Sequence, residues 1–141
     1  MQIKNIEIKS IEARRYVDRK ERPKKVRIDH NSTFTHITYL KNDLAKIDFQ
    51  YTSSYGPVGL IKLEGSLVYE DESAEKIANE WNENRKMPDE IASKMHTAVM
   101  HTCVPQAVGL AKDLALPPPI PLPQVRLGKS PKKGTAGPEV A

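Results

Sequence analysis

Three side chains with metal-binding or nucleophilic potential, His96, His101 and Cys103, fall within eight residues of one another. Two imidazoles and a thiol could hold zinc if they converged on one tetrahedral centre. Helical spacing works against that, because residues five apart are rotated well off a common face. Cys103 then reads as a small buried apolar residue, and the histidines as surface or interface groups. Nothing local lowers the thiol pKa, which argues against a Cys–His nucleophilic pair. Asp48, Glu64, Glu70, Asp71 and Glu72 could be imagined as paired acid and base. Asp48 and Glu64 fall instead on the polar side of alternating runs, and the other three precede a helix, where negative charge suits the N-terminus. The chain has no phosphate-binding glycine loop, no CxxC pair and no HExxH. The residues therefore predict no enzyme, no cofactor and no metal site.

A second chemistry is polyanion binding. The net charge of the 141 residues is +4, unevenly spread. Residues 14–27 carry Arg14, Arg15, Arg19, Lys20, Arg22, Lys24, Lys25 and Arg27 against Asp18 and Glu21, a net +6. Residues 124–141 carry a net +3, which leaves −5 on the rest. Eight cations could neutralise several phosphates and give salt-sensitive binding to RNA or a ribosome. Only Tyr16 is close enough to stack on a base, so backbone contacts would dominate. A solvated loop is the other reading of such a run.

The elements that would position these groups centre on Lys46 to Tyr69. Ile47, Phe49 and Tyr51 alternate with polar residues, as do Ile61, Leu63, Gly65, Leu67 and Tyr69. Successive strand side chains point to opposite faces, so two antiparallel strands are predicted, joined through Ser53–Pro57. Tyr51, Tyr55 and Tyr69 could join a recognition surface, although packing in the core and at the hairpin edge is the simpler assignment. Residues 2–13 and Ser32 to Leu40 predict two further strands, with Asn42 and Asp43 as a turn. Four strands in sequence suggest an antiparallel meander.

The period changes after Tyr69. Ser73 is placed to cap a helix whose apolar face is Ala74, Ile77, Ala78 and Trp81. A second helix begins near Pro88, and Pro105 either kinks it or opens a third. The run LPPPIPLP, residues 116–123, predicts polyproline II that serves as a linker or docks on its own domain. Residues 124–141 cannot build a core and read as a basic flexible tail. A domain over 1–123 is expected. No apolar run approaches the ~20 residues that span a bilayer. The start lacks an apolar leader and the one cysteine suits a reducing compartment, so a cytoplasmic protein is expected.

The rhythm I-x-F-x-Y followed by I-x-L-x-G-x-L, the helices behind it and the ending LALPPPIPLP together resemble the SecB-like chaperone family, most closely its small archaeal members. The resemblance covers roughly residues 2–123. It implies an α+β fold: a four-stranded antiparallel sheet with two to three C-terminal helices on one face. It also implies a holdase that binds unfolded or nascent polypeptide in apolar grooves, works as a homo-oligomer (dimer or tetramer) and uses no cofactor. Carried onto this chain, Phe49, Tyr51, Ile61, Leu63, Leu67, Met95 and Val99 match elements that build the core and flank the grooves. Bacterial export members are acidic, whereas residues 14–27 here are basic, which leaves room for an RNA- or ribosome-associated role.

Overall fold

A computed structural model describes residues 1–21 and 25–120. Strands β1 (Gln2–Arg15), β2 (Asp29–Lys41), β3 (Leu44–Ser54) and β4 (Gly59–Glu70) are followed by helices α1 (Ala74–Asn84) and α2 (Asp89–Asp113). The strands form one antiparallel sheet, and the helices make it an α+β fold as expected.

Both predicted hairpins are present. Asn42 and Asp43 have φ of 56° and 63°, the left-handed pair that a two-residue turn requires and that Asn and Asp tolerate. At the other turn Val58 N–H donates to Tyr55 O at 3.1 Å, with Gly56 at φ 61°. The strand order is β1-β4-β3-β2, however, so the four strands are not a consecutive meander. This is a Greek-key order. No tight turn joins β1 to β2, so β1 is free to pair with β4 and close its open edge. Gly65 makes that approach possible, since a β-carbon there would run into Glu7 O and lie 2.9 Å from Phe49 Cζ.

Apolar and polar residues alternate only loosely along β1, and the pairing gives the reason. Lys4 and Lys9 are extra residues at two bulges, each of which shifts the side-chain period by one. Ile3, Ile6, Ile8 and Ile11 therefore stand opposite Tyr69, Leu67, Gly65 and Leu63. Opposed residues share a face, so the four isoleucines join the helix-covered side in one row.

The core lies between that face and the helices. Ile47, Phe49, Tyr51, Ile61, Leu63, Leu67 and Tyr69 meet Met95, Val99, Cys103, Ala107 and Ala111 of α2. α1 lies against β2 and β3 through Ala74, Ile77, Ala78 and Trp81, the face its spacing predicts. Its first turn is held differently from expectation. Ser73 makes no side-chain cap. Asp71 Oδ2 instead accepts from Ser73 N–H at 2.9 Å and from the Ser73 hydroxyl. These bonds hold the Asp71 carboxyl below the usual range.

α2 continues through Pro105 as one helix, so the described residues hold two helices and no third. Pro105 cannot bond the carbonyl of His101. Both residues lie on the exposed side, where water can satisfy that oxygen, and the helix continues. After α2, Ala115 turns through φ 56° and Leu116 N–H bonds Ala111 O at 2.8 Å. The proline strip then docks as far as it is described. Leu116 and Pro119 are buried, and Tyr55 Oη donates to Pro117 O at 2.7 Å. Residues 121–123 of the strip, and the tail 124–141, lie outside the described residues.

Candidate peptide-binding surface

The seven residues expected to meet clients do not reach the surface. Phe49, Tyr51, Ile61, Leu63, Leu67, Met95 and Val99 are each 0–2% exposed. They are the seam between β3, β4 and α2, and that expectation is corrected. The alternation puts them on the apolar face, and α2 covers that part of the face.

Apolar surface remains beside that seam. The sheet spans about 14 Å between its outer strand axes, from a spacing of ~4.8 Å, and one helix with its side chains is ~10–12 Å across. α1 adds cover over β2 and β3. On β1, Ile3, Ile6 and Ile8 are half-buried and Ile11 is 51% exposed. A groove of about 440 Å³ runs between the start of this strand and α2, lined by Met1, Gln2, Ile3, Ser93, Lys94 and Thr97. β1 is also an outer strand, so among the described residues one side of its backbone has no strand partner. Such an edge can take an added strand from another chain.

A second groove, about 470 Å³, lies at the opposite edge between β2, α1 and α2. Its apolar lining is Phe34, Trp81, Met87 and Ala92. Phe34 stacks on His96 with ring centres 4.1 Å apart, and His96 Nδ1 is hydrogen-bonded to Ser32 Oγ at 2.8 Å. Burial lowers the pKa of His96 and so favours the neutral imidazole. Arg85 rests on the Trp81 ring at 4.2 Å, a cation–π contact.

The helix between the two grooves carries no charged residue from Met95 to Ala111. Its outward ridge of Thr97, His101, Pro105 and Gly109 is exposed. A helix turned to water ordinarily carries charge on that side.

The metal-ligand trio does not converge. Cys103 is in the core, His96 faces the β2 groove and His101 is exposed. No group of three His, Cys, Asp or Glu side chains is placed to hold an ion among the described residues. Burial pushes the Cys103 thiol up to about 11, so it is not a nucleophile at neutral pH.

Two arginines of the basic segment, Arg15 and Arg19, are engaged with the protein's own carbonyls. The Arg15 guanidinium donates to the carbonyls of Val17 at 2.9 Å, Ala115 at 3.0 Å and Leu114 at 3.4 Å. It also reaches the carbonyls of Asp18 and Glu21, each at 3.3 Å. Arg19 donates to Asp113 O at 2.7 Å. Both arginines thus satisfy the carbonyl end of α2 and its negative dipole. Arg14 pairs with Glu12 at 3.7 Å and Arg27 with Asp29 at 3.1 Å. Lys20 and Lys25 are exposed, whereas Arg22 and Lys24 lie outside the described residues.

No helix among the described residues is long and apolar enough to cross a membrane. No protein-family model matches the chain, and no curated protein matches it in sequence. Among solved structures it is similar to a SecB-like chaperone of Mycobacterium tuberculosis, solved in complex with a ChAD peptide from the HigA1 antitoxin. The TM-score is 0.55 and the identity 15%, over 83% of this chain and 82% of that one. At this identity the likeness is one of fold. It is to a mycobacterial protein, so the archaeal part of the resemblance stays an expectation.

Proposed function

We propose that the chain is a SecB-like holdase, a chaperone that binds unfolded or extended polypeptide and catalyses nothing. The observation that carries this reading is the isoleucine row of β1, apolar and half-open on a strand whose outer edge has no partner among the described residues. An unfolded client offers the two things such a site lacks, apolar side chains and unsatisfied backbone. Client side chains would sit over Ile3, Ile6, Ile8 and Ile11, and in the groove around Phe34 and Met87. The fold of the mycobacterial chaperone, seen with a bound peptide, supports the same reading.

The uncharged ridge of α2 suits a second copy of this chain, so the working form would be a dimer or tetramer. We place the protein in the cytoplasm and take residues 1–123 as one unit followed by a basic tail. RNA or ribosome binding through residues 14–27 gains no support, since Arg15 and Arg19 are committed to backbone carbonyls.

The test is suppression of aggregation of a chemically denatured model protein. The wild type is expected to suppress light scattering at stoichiometric amounts. The variant Ile11→Glu, at the exposed end of the row, is expected to lose much of that effect while keeping its melting temperature within a few degrees. No suppression by the wild type, or full suppression by Ile11→Glu, overturns the reading.

A further inference from the structure

The strip after α2 is held in the way an extended ligand is held. Leu116 is 5% exposed and Pro119 less than 2%, whereas Pro117 lies outside and Ile120 is 38% exposed. Leu116 and Pro119, three residues apart, are the buried pair, and the chain bends at Pro119 and Ile120. Leu116 Cδ1 lies against Gly59, where an added β-carbon would stand only 3.2 Å from it. Tyr55 Oη donates a hydrogen bond to Pro117 O at 2.7 Å. Prolines have no N–H to give, so a seat for them has to supply donors and apolar pockets. Tyr55, Val58 and Gly59 are buried at this end of the sheet.

We infer that this seat is a binding site for extended, proline-containing polypeptide with apolar side chains three residues apart. The chain's own strip occupies it and competes with clients of the same chemistry. The inference rests on the peptide-binding reading above and adds a second contact, regulated in cis. A tethered occupant acts at an effective concentration on the order of millimolar, so the intact chain would admit only segments that outcompete it. A client that displaced the strip would gain the Tyr55 donor and two apolar pockets beyond those of the β1 row.

The test uses a fluorescein-labelled synthetic peptide of the sequence of residues 115–123. Three forms are compared: the full chain, a chain ending at Pro123 and a chain ending at Ala115, with folding checked by circular dichroism. The chain ending at Ala115 is expected to bind the peptide saturably, at least 100-fold more tightly than the other two. Tyr55→Phe in that background should weaken binding about five-fold, the loss of one hydrogen bond. Aspartate at the two buried peptide positions should abolish it. If the shortened chain does not fold, Leu116→Asp in the full chain expels the strip and is measured in the same way.

Failure of the folded, strip-free form to bind the peptide overturns the inference, as does equal binding by all three forms. Denatured client protein is then added as competitor. Displacement of the peptide supports the inference. Peptide binding that the client does not displace overturns the inference that strip and client compete for this seat, and leaves the β1 row as the client site. Client binding that is equal with and without the strip overturns the inference and leaves the chaperone reading intact.

Discussion

The seam between β3, β4 and α2 and the row on β1 are built from the same kinds of residue by the same alternation. In the seam, Ile47, Phe49, Ile61 and Leu63 are 0–2% exposed, whereas on β1 Ile11 is 51% exposed. Alternation assigns a side chain to a face of the sheet. Whether a helix lies over that part of the face decides if the side chain becomes core or surface. A fully buried aliphatic or aromatic side chain contributes about 1.5–3 kcal/mol, and the half-open row leaves part of that unrealised until another chain covers it.

The comparison is broken most easily by truncation on each side of it. Phe49→Ala, in the seam, is expected to cost about 3–5 kcal/mol in urea unfolding. Ile11→Ala, in the row, is expected to stay within about 0.5 kcal/mol. Equal losses would mean that the row is part of the core.

A smaller effect sharpens where β1 is closed. Arg15, at the end of that strand, gathers carbonyls from the 17–21 turn and from the end of α2. Arg15→Ala is expected to cost about 1.5–3 kcal/mol, typical of hydrogen bonds to a charged group. It should also speed amide exchange at Leu114 and Leu116. An unchanged exchange pattern would show that Arg15 does not hold the two elements together.

The β2 groove should respond to pH where the β1 row does not. The folded-state pKa of His96 lies below its ordinary 6.5 because burial disfavours the charged imidazole. The unfolded chain therefore takes up the proton first. The contribution is complete above about pH 6.5 and is lost progressively as pH falls below it. Melting temperatures should drop between pH 7 and pH 5, and His96→Gln should flatten that slope. Arg85, Lys86 and Asp89 line the same groove, so added salt should reduce the effect of the two cations. A slope that His96→Gln leaves intact would assign it to another group.

The smallest effect expected is at Tyr69. Its hydroxyl is buried without a hydrogen-bond partner among the described residues, and burial pushes its pKa up to about 12. Tyr69→Phe should therefore change stability by no more than about 1 kcal/mol, most naturally upward. A larger loss would mean that the hydroxyl has a partner after all.

The hairpin from Lys46 to Tyr69 was legible because strand alternation and turn residues are local signals. So was the face of α1, with Trp81 at its end. The position of β1 was not, because pairing with β4 depends on contacts far apart in sequence and on room made by Gly65. The 3-2-3 spacing of Ile3, Ile6, Ile8 and Ile11 was a readable sign of bulges, and it marks the row the sequence reading missed. The fate of Arg15 could not be read, since its acceptors are backbone carbonyls 99 and 100 residues away. Carbonyls leave no trace in residue type. Continuation of α2 through Pro105 depends on which side of the helix faces water, and spacing alone left that open.

Amide hydrogen exchange with and without a bound, permanently unfolded client tests the central claim most directly. Added protection is expected on β1 around Ile6 to Ile11 and near Phe34, with no change in β3 and β4, which are already closed. Protection absent from β1, or confined to the basic segment 14–21, would contradict the account.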